Sequence, residues 1–441
     1  MADALPPGPS IATTQTLRYM TDPVGFYAWS RKTYGDTFTV RTLDGPLVIT
    51  GEPEGAREVF TAEPSSYEIF APGNLGMVFP EQSVPMLAGD PHKRQRKLLM
   101  PPFHGARMRA YARTMHEVAL KRASAWRPGE PFSMQDAARG ITREVILRNV
   151  FGLTDPEQIA AFEEAFVAVQ SSTTPVLLFF KGLRHNFGGI GPYAKYLKAH
   201  ARQDALIEEQ LERRRASPTS GSDDVLQLML EAKYEDGSGM SNQMLRAELV
   251  SLLTAGYAAT ATALAWAAYW LHHHPETLKK LRQELAGVPA DAGPEAYASL
   301  PYLTAVCNET LRIYPPVPDF FRKVRTPIQV RGYTLPAGVG VAVFSGMVHT
   351  REDLYPEPHA FRPERFLERK FTHFEFMPFG GGARRCLGAA FAEQQMKVVL
   401  GTIIQNYELE LVDPEERPVR QGLGIGPQHG VRTRVARRLA S

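Results

Sequence analysis

Near its C-terminal end the chain reads Phe379-Gly380-Gly381-Gly382-Ala383-Arg384-Arg385-Cys386-Leu387-Gly388. Consecutive glycines allow the backbone to fold tightly and leave its N–H groups unobstructed. Cys386 ends that loop, directly before the helical pattern of residues 389–400. A helix N-terminus and the neighbouring Arg384 and Arg385 favour the thiolate form of such a cysteine. The stretch therefore predicts a thiolate that serves as a nucleophile or as a metal ligand.

The number of cysteines narrows the choice of metal. The chain has only two, Cys307 and Cys386, which rules out a disulfide framework and a Cys-x-x-Cys exchange motif. Zinc and iron–sulfur sites need several ligands, and no further cysteine stands near the loop. A single thiolate is enough for haem iron, because the porphyrin supplies the in-plane ligands.

The loop resembles the cysteine loop of the cytochrome P-450 haem-thiolate monooxygenases, whose pattern is F-x-x-G-x-R-x-C-x-G. Two further segments of the family occur in the expected order, the E-x-x-R helix at residues 309–312 and the P-E-R-F segment at residues 363–366. The resemblance covers essentially the whole chain. It implies haem b as the cofactor, with Cys386 as the axial iron ligand and Phe379 and Gly380 in the haem-binding loop.

Glu309 and Arg312 lie one helical turn apart, so they can form an ion pair on one helix face. A solvated helix face is the usual explanation for such a pair. In this order with the cysteine loop, we expect a buried structural network that Arg365 completes.

The resemblance also implies the residues that hold the haem. The two propionates need cationic partners, and the matching residues are His92, Arg96, Arg322 and Arg384. His92 and Arg96 stand four residues apart and can face one propionate. On the long helix, Ala255 and Gly256 match the small residues that let dioxygen and haem approach.

The pattern breaks where the family carries an acid and a threonine that deliver protons to bound dioxygen. Ala258 and Ala259 occupy these positions here, and Thr260 keeps only the second threonine. Thr260 is turned by about 100° from the position before it, so it can substitute only if the helix unwinds locally. The relay positions Ala258 and Ala259 and the hydroxyl of Thr260 are the candidate catalytic positions.

Three hypotheses about the reaction stay open. Under each of them, the reaction takes place in a dry pocket without an obvious general acid. The first choice is a monooxygenase that receives protons from ordered water or a substrate hydroxyl. The others are a peroxide-driven oxygenase and a redox-neutral isomerase. A non-catalytic haem-binding sensor is the alternative from a different class.

The resemblance places a large apolar pocket over the haem, formed by several separate segments. The candidate lining residues are Phe70, Met77, Val78, Phe79, Tyr257, Val317, Phe320 and Ile425. Core packing explains any one of them equally well. A medium to large apolar substrate is expected, such as a fatty acyl, terpenoid or polyketide compound of secondary metabolism. The apolar run at residues 176–180 belongs to a glycine-containing lid or touches a membrane surface.

Electrons are expected from a separate donor, because no flavin- or nicotinamide-binding module is left in the chain. Residues 91–127 carry ten Lys/Arg against one acid, Glu117. A solvated helical face is the usual reading of such a run. By resemblance it lies on the cysteine side of the haem, and we expect it to dock an acidic ferredoxin- or flavodoxin-type protein.

Composition supports a folded globular protein and excludes other classes. With 441 residues and a formal net charge of +3, nucleic acid binding is not expected. No signal peptide pattern opens the chain, so a soluble, cytoplasmic protein is expected. We also expect a monomer. The longest uncharged stretch, between Glu248 and Glu276, is diluted by threonines and histidines and reads as a buried helix.

The sequence predicts a mainly α fold with small β-sheets (α+β), in a single haem domain over residues 1–441. Residues 1–20 are expected as an extended proline-containing lead-in. Residues 36–51 alternate around Asp44-Gly45 and predict a hairpin. The best-defined helix is expected from Ser241, a plausible N-cap, to His274, before Pro275.

Overall fold

The computed structural model describes residues 5–105, 107–216, 224–289 and 291–439. The helices are α1 (Ala12–Thr21), α2 (Pro23–Tyr34), α3 (Pro53–Thr61), α4 (Pro72–Leu75), α5 (Gly89–Leu99), α6 (Arg107–Ala123), α7 (Met134–Asn149), α8 (Pro156–Ser172), α9 (Pro175–Phe179), α10 (Pro192–Ala216), α11 (Val225–Glu231), α12 (Asn242–His273), α13 (Pro275–Ala286), α14 (Pro301–Ile313), α15 (Ser345–His349), α16 (Arg365–Glu368) and α17 (Ala389–Asn406). The strands are β1 (Thr37–Thr42), β2 (Gly45–Thr50), β3 (Tyr67–Glu68), β4 (Pro131–Ser133), β5 (Asp319–Val324), β6 (Ile328–Val330), β7 (Tyr333–Leu335), β8 (Gly340–Phe344), β9 (Tyr407–Leu411), β10 (Pro418–Gln421), β11 (Gly424–Pro427) and β12 (Arg432–Arg438).

The predicted fold class is confirmed, since helices dominate and the sheets are small. The chain divides into two compact units. Unit 1 comprises the described parts of residues 1–70, 119–139 and 259–441, and unit 2 those of residues 71–118 and 140–258. All of the strands named above lie in unit 1.

The largest sheet of unit 1 has five strands in the order β1-β2-β8-β5-β3. The predicted hairpin is confirmed as β1 and β2, which pair from Thr37↔Thr50 to Thr42↔Gly45. Gly45 has φ +110°, a left-handed conformation that the turn requires and that glycine adopts without steric cost. β2 continues the sheet by pairing in parallel with β8, and β8 pairs antiparallel with β5. β5 is thereby fixed with one neighbour on each side, and it carries Phe320 and Arg322.

The proline arm is extended only over residues 5–11. It runs along β1, where the Thr39 amide donates to the Pro7 carbonyl at 2.9 Å and the Thr39 hydroxyl donates to the Pro6 carbonyl at 2.7 Å. The prediction of an extended lead-in is wrong from Ala12 onward, because α1 begins there. All prolines of the arm precede Ser10, so the following backbone keeps its N–H donors and can form a helix. The first four residues of the predicted lead-in lie outside the described residues.

Unit 2 is helical, and α8 packs against α10. Its interior contains the fully buried side chains of Phe151, Phe166 and Ile207. A buried ion pair joins Arg214 on α10 to Asp224 just before α11, at 2.7 Å. Because a charge buried without its partner is costly, this pair holds the start of α11 against α10.

α12 confirms the predicted long helix and runs without interruption over 32 residues. The Ser241 hydroxyl accepts a hydrogen bond from the Met244 amide at 3.2 Å, as expected of an N-cap. Among the described residues, this is the one helix long and apolar enough to cross a membrane, yet 67% of its most apolar window is buried within the protein. α12 therefore has the burial of a core helix.

Candidate cofactor site

The glycine loop before Cys386 is shaped by close packing against two aromatic residues. Gly380 has φ +68°, and a Cβ placed there would lie 2.9 Å from the ring of Phe320. A Cβ on Gly382, which has φ +65°, would lie 2.1 Å from the Phe60 carbonyl oxygen. Only glycine fits both positions, because any side chain would be strained and would also clash.

The same loop fixes the cysteine at the start of α17. The Cys386 amide donates to the Phe379 carbonyl at 2.9 Å, and the Gly380 amide donates to the Met377 carbonyl at 3.1 Å. Cys386 is exposed, whereas Cys307 is buried within α14. Burial raises the pKa of the Cys307 thiol to about 12, so Cys307 stays protonated at neutral pH. Of the two cysteines, only Cys386 is accessible to a cofactor.

The structure brings Glu309, Arg312 and Arg365 together in a buried network. Both oxygens of Glu309 accept from Arg312, at 2.7 and 2.8 Å, and one also accepts from Arg365 at 2.9 Å. Arg312 additionally donates to the carbonyls of His349 and Pro358, each at 2.8 Å. A single carboxylate thus holds two guanidinium groups, and the remaining donors bind backbone carbonyls, which satisfies these buried charges.

His349 connects this network to the cysteine loop, a connection that the sequence analysis missed. Its Nδ1 lies 3.2 Å from the Arg312 carbonyl oxygen, and its Nε2 accepts from the Met377 amide at 3.0 Å. These partners assign the proton to Nδ1. Burial and the Arg312 cation lower the pKa of His349 to about 3, so the ring is neutral. A lone histidine after Val348 carries no motif, and only its position among buried residues could have marked it.

Two cations of unit 1 come close together beside the cysteine loop. Arg322 on β5 has its pKa lowered to about 9, because it is removed from water and Arg384 lies nearby. Two guanidinium groups that are part-buried and close together repel each other. An anionic ligand with several oxygens stabilises such a pair. The carboxylates of haem fit this pair, and the accessible thiol of Cys386 fits its iron. The residues of unit 1 therefore suit the cofactor that the sequence predicts.

His92 and Arg96 lie on α5 of unit 2, where His92 is buried and Arg96 stands one turn further along. Gln95, between them, donates to the Gln82 carbonyl at 2.9 Å and to the carboxylate of Glu248 on α12. Glu248 also accepts from the Val84 amide at 2.7 Å. This arrangement fixes α5 and the segment before it against α12, and so sets the orientation of His92.

α12 is a continuous helix at the positions where the relay residues are missing. Ala255 is exposed, and a Cβ on Gly256 would lie 2.6 Å from the Ile146 side chain. Close packing against Ile146 therefore accounts for this glycine, and no local distortion is present. Because the helix is continuous here, Thr260 keeps its rotation of about 100° from the position before it.

The candidate pocket residues separate into two groups. In unit 2, Met77 belongs to a buried apolar cluster with Leu177, Leu178 and Tyr196, and Val78 packs against it. Tyr257 is buried edge-on against Phe166, with ring centroids 4.7 Å apart. Phe79 is part-buried. All four residues are buried or part-buried within unit 2, and their assignment to the pocket stays a prediction.

In unit 1, two of the predicted pocket residues pack against glycines and other aromatic rings. Phe320 lies under Gly380 and contacts Phe60, and Phe70 stacks on Phe321 at 5.8 Å. Their side chains fill the space left by Gly380 of the loop and by Gly340 of β8, and their assignment to the pocket stays a prediction. Val317 is 40% exposed, and Ile425 is buried with its amide donating to the Pro316 carbonyl at 2.9 Å.

The basic stretch of residues 91–127 is less positive than its sequence suggests. Arg94 forms an ion pair with Asp236, and Lys97 forms one with Glu235 at 2.7 Å. Both acids lie in the short turn between α11 and α12. Two of the ten cations in this stretch, Arg94 and Lys97, are thus paired within unit 2, so their contribution to a docking field is reduced.

Comparison with known proteins agrees with this geometry. The family model for cytochrome P450 matches residues 5–430. A Mycobacterium tuberculosis protein named cytochrome P450 137 is 33% identical over 406 residues, which cover 91% of this chain and 83% of that protein. A Mycobacterium bovis protein named cytochrome P450 135B1 is 34% identical, covering 98% and 91% of the two chains.

Solved structures share the fold. A retinoic-acid-bound cyanobacterial CYP120A1 superposes with a TM-score of 0.87 at 24% identity, covering 99% of this chain and 100% of that one. A cytochrome P450DA haem domain gives a TM-score of 0.86 at 22% identity, covering 100% and 99% of the two chains. The match of sequence and fold along nearly the whole chain, with Cys386 in its glycine loop, shows that this protein belongs to the cytochrome P450 family and is a haem-binding oxidoreductase.

Proposed function

We propose that this protein is a monooxygenase that hydroxylates or epoxidises a medium to large apolar molecule, such as a fatty acyl, terpenoid or polyketide compound. Electrons come from a separate ferredoxin- or flavodoxin-type donor. The accessible Cys386, held at the start of α17 by its glycine loop, carries this proposal. Bound haem would supply the activation of dioxygen, and the Cys386 thiolate would hold its iron.

The other site residues have defined roles in this proposal. Arg322 and Arg384 would hold haem carboxylates, and the family resemblance assigns the same role to His92 and Arg96. Ala255, which is exposed, leaves room beside α12 for haem and dioxygen, whereas Gly256 packs against Ile146. Met77, Val78 and Tyr257 offer apolar surface that binds the substrate and excludes water.

Ala258 and Ala259 support a second candidate function. Neither side chain can donate a proton, and the continuous α12 keeps Thr260 rotated away from their position. A peroxide-driven oxygenase or a redox-neutral isomerase needs less proton delivery than a dioxygen-dependent enzyme. The monooxygenase stays our first choice, because water or a substrate hydroxyl can supply these protons. The sensor alternative predicts haem binding without turnover.

Turnover under labelled dioxygen tests the proposal. The haem-loaded protein is supplied with a surrogate donor and candidate substrates, and the products are analysed by mass spectrometry. One labelled oxygen atom per product supports a monooxygenase, whereas efficient turnover without label excludes it for that reaction. Cys386→Ser is expected to lose both labelled product and the red-shifted Soret band of the carbon monoxide complex. Cys307→Ala is the matched control, and it is expected to keep both.

A further inference from the structure

The exposed basic face of α5 is contacted by a turn of the same chain. Lys93, Arg94 and Lys97 form this basic face, and all three side chains are exposed. Residues 234–239 lie between α11 and α12 of the same unit, and they contain two acids that pair with α5. We call these residues the acidic turn. Its contacts show how this part of unit 2 binds carboxylates.

Each acid of the acidic turn forms an ion pair with one cation of the basic face. Asp236 pairs with Arg94, and the Lys97 ammonium lies 2.7 Å from the Glu235 carboxylate. The Arg94 guanidinium also lies over the ring of Tyr234, 4.2 Å from its centroid, in a cation–π contact. Two of the three cations of the basic face are therefore bound to the turn.

The third cation acts on the acidic turn through its charge. The hydrogen bond and the charge of Lys97 lower the pKa of Glu235, and the charges of Arg94 and Lys93 act in the same direction. Glu235 therefore lies in the electrostatic field of the whole basic face. A carboxylate at this place is stabilised by all three cations.

The acidic turn keeps its shape by hydrogen bonds of its own. An antiparallel bridge joins Lys233 to Gly239 at its base, and the Asp236 carboxylate accepts from the Ser238 amide at 2.9 Å. Gly237 has φ +80°, a left-handed conformation that favours glycine. Because these features do not involve α5, the ion pairs to α5 can break while the turn stays folded.

The ion pairs between the acidic turn and α5 are accessible to solvent. The exposed fractions of the side chains are 54% for Arg94, 57% for Asp236, 74% for Lys97 and 87% for Glu235. Ion pairs this exposed contribute little to stability and are weakened by salt. Carboxylates of another protein can therefore replace those of the turn on the basic face.

We propose that the acidic turn is an autoinhibitory contact that occupies part of the docking surface for the electron donor. This inference rests on the proposed function, in which a separate ferredoxin- or flavodoxin-type protein supplies the electrons. While Glu235 and Asp236 are paired with α5, the basic face attracts an acidic donor less strongly than its three charges would alone. A docking donor must exchange its own carboxylates for those of the turn, which slows association.

Electron transfer from a donor into the haem tests this contact without any substrate. The haem-loaded full chain is mixed under carbon monoxide with a reduced, acidic ferredoxin, and the growth of the red-shifted Soret band gives the second-order rate constant. Glu235→Gln with Asp236→Asn removes both charges and keeps the side-chain acceptors of the turn. This double variant is expected to raise the rate constant roughly three- to tenfold at low salt, and to show a steeper decrease as salt is raised.

The matched control removes two other exposed, ion-paired acids of unit 2. Glu164→Gln with Glu209→Gln makes the same change in net charge, at side chains that are 76% and 62% exposed and that pair with Arg202 and Arg213. It is expected to raise the rate constant by no more than about twofold. Reduction by dithionite needs no docking surface, so equal spectra after dithionite show that every variant is folded and loaded.

The outcomes separate this inference from the proposed function. Equal rate constants for the acidic-turn variant and the matched control would overturn the inference alone, because the turn would then only stabilise unit 2. Lys93→Glu with Lys97→Glu tests the basic face itself and is expected to lower the rate constant by about fivefold or more. An unchanged rate constant in that variant would overturn both the docking at α5 and the inference. Neither result depends on product formation, which the labelled-dioxygen experiment measures separately.

Discussion

The neutral side chain of His349 links the cysteine loop to the rest of unit 1 by hydrogen bonds. It donates from Nδ1 to the Arg312 carbonyl and accepts at Nε2 from the Met377 amide. Met377 in turn accepts from the Gly380 amide, within the loop that places Cys386. A route of consecutive hydrogen bonds thus leads from the Glu309 network to the cysteine.

Replacing His349 by Phe is expected to destabilise the loop. The Met377 amide would be left buried without an acceptor, which costs about 1–3 kcal/mol. We expect a larger share of the carbon monoxide complex to lose the red-shifted Soret band, because the thiolate is positioned less firmly. The band is recorded during incubation at raised temperature and compared with that of the parent.

His349→Gln is the conservative variant, since its amide oxygen can still accept a hydrogen bond. It is expected to retain more of the thiolate band than the Phe variant. The exposed His359 supplies the matched control, and His359→Phe is expected to behave like the parent. Equal spectra for all three variants would contradict a positioning role for His349.

Among the elements, α12 and α5 are joined through a titratable carboxyl. Glu248 is 1% exposed, and burial raises its pKa to about 7, although hydrogen bonds from Gln95 and Val84 act in the opposite direction. The folded state therefore binds this proton more tightly than the unfolded state. The stabilisation is complete below pH 4.5 and is lost as the pH rises to about 7. It amounts to on the order of 3 kcal/mol.

Glu248→Gln is expected to remove this pH dependence. The amide oxygen can still accept from Val84 and Gln95, and no charge is buried. Unfolding of parent and variant is compared at pH 5 and pH 7.5, and the variant is expected to gain relative stability at the higher pH. Glu81→Gln, at an exposed site, is the control and should follow the parent. If the free energies of unfolding of the parent and of Glu248→Gln differ by the same amount at both pH values, the pKa of Glu248 is not raised.

The elements that carry strong local signals were predictable. Some residues restrict the backbone directly, namely the prolines before residue 10, Pro275, the Asp44-Gly45 turn and the glycine loop. The hairpin and the end of α12 could therefore be predicted. The contacts of Phe320 and Phe70 were not predictable, because they depend on which distant glycine faces each ring. The Glu248 and Arg94 contacts likewise join residues more than 140 positions apart.

For the whole molecule, the missing relay is expected to control how electrons are used. In the proposed monooxygenase, Ala258 and Ala259 cannot donate protons, so water or the substrate must do so. We expect substrates that fit poorly to divert many electrons to peroxide or superoxide, while the correct substrate couples efficiently. Coupling is measured as the product formed per electron consumed. The hydrogen peroxide released per electron consumed is measured in the same reactions.

Restoring the relay provides the sharper comparison. Ala258→Glu with Ala259→Thr is expected to improve coupling several-fold with generic substrates, provided that the side chains fit beside α12. Thr260→Ala is expected to change coupling little, because the uninterrupted helix keeps this hydroxyl rotated from the missing threonine. A strong loss of coupling in Thr260→Ala would instead show that Thr260 has taken over proton delivery, and that α12 opens locally during turnover. If the parent couples electrons to product efficiently on every substrate, proton delivery does not need an acid at position 258 or a threonine at position 259.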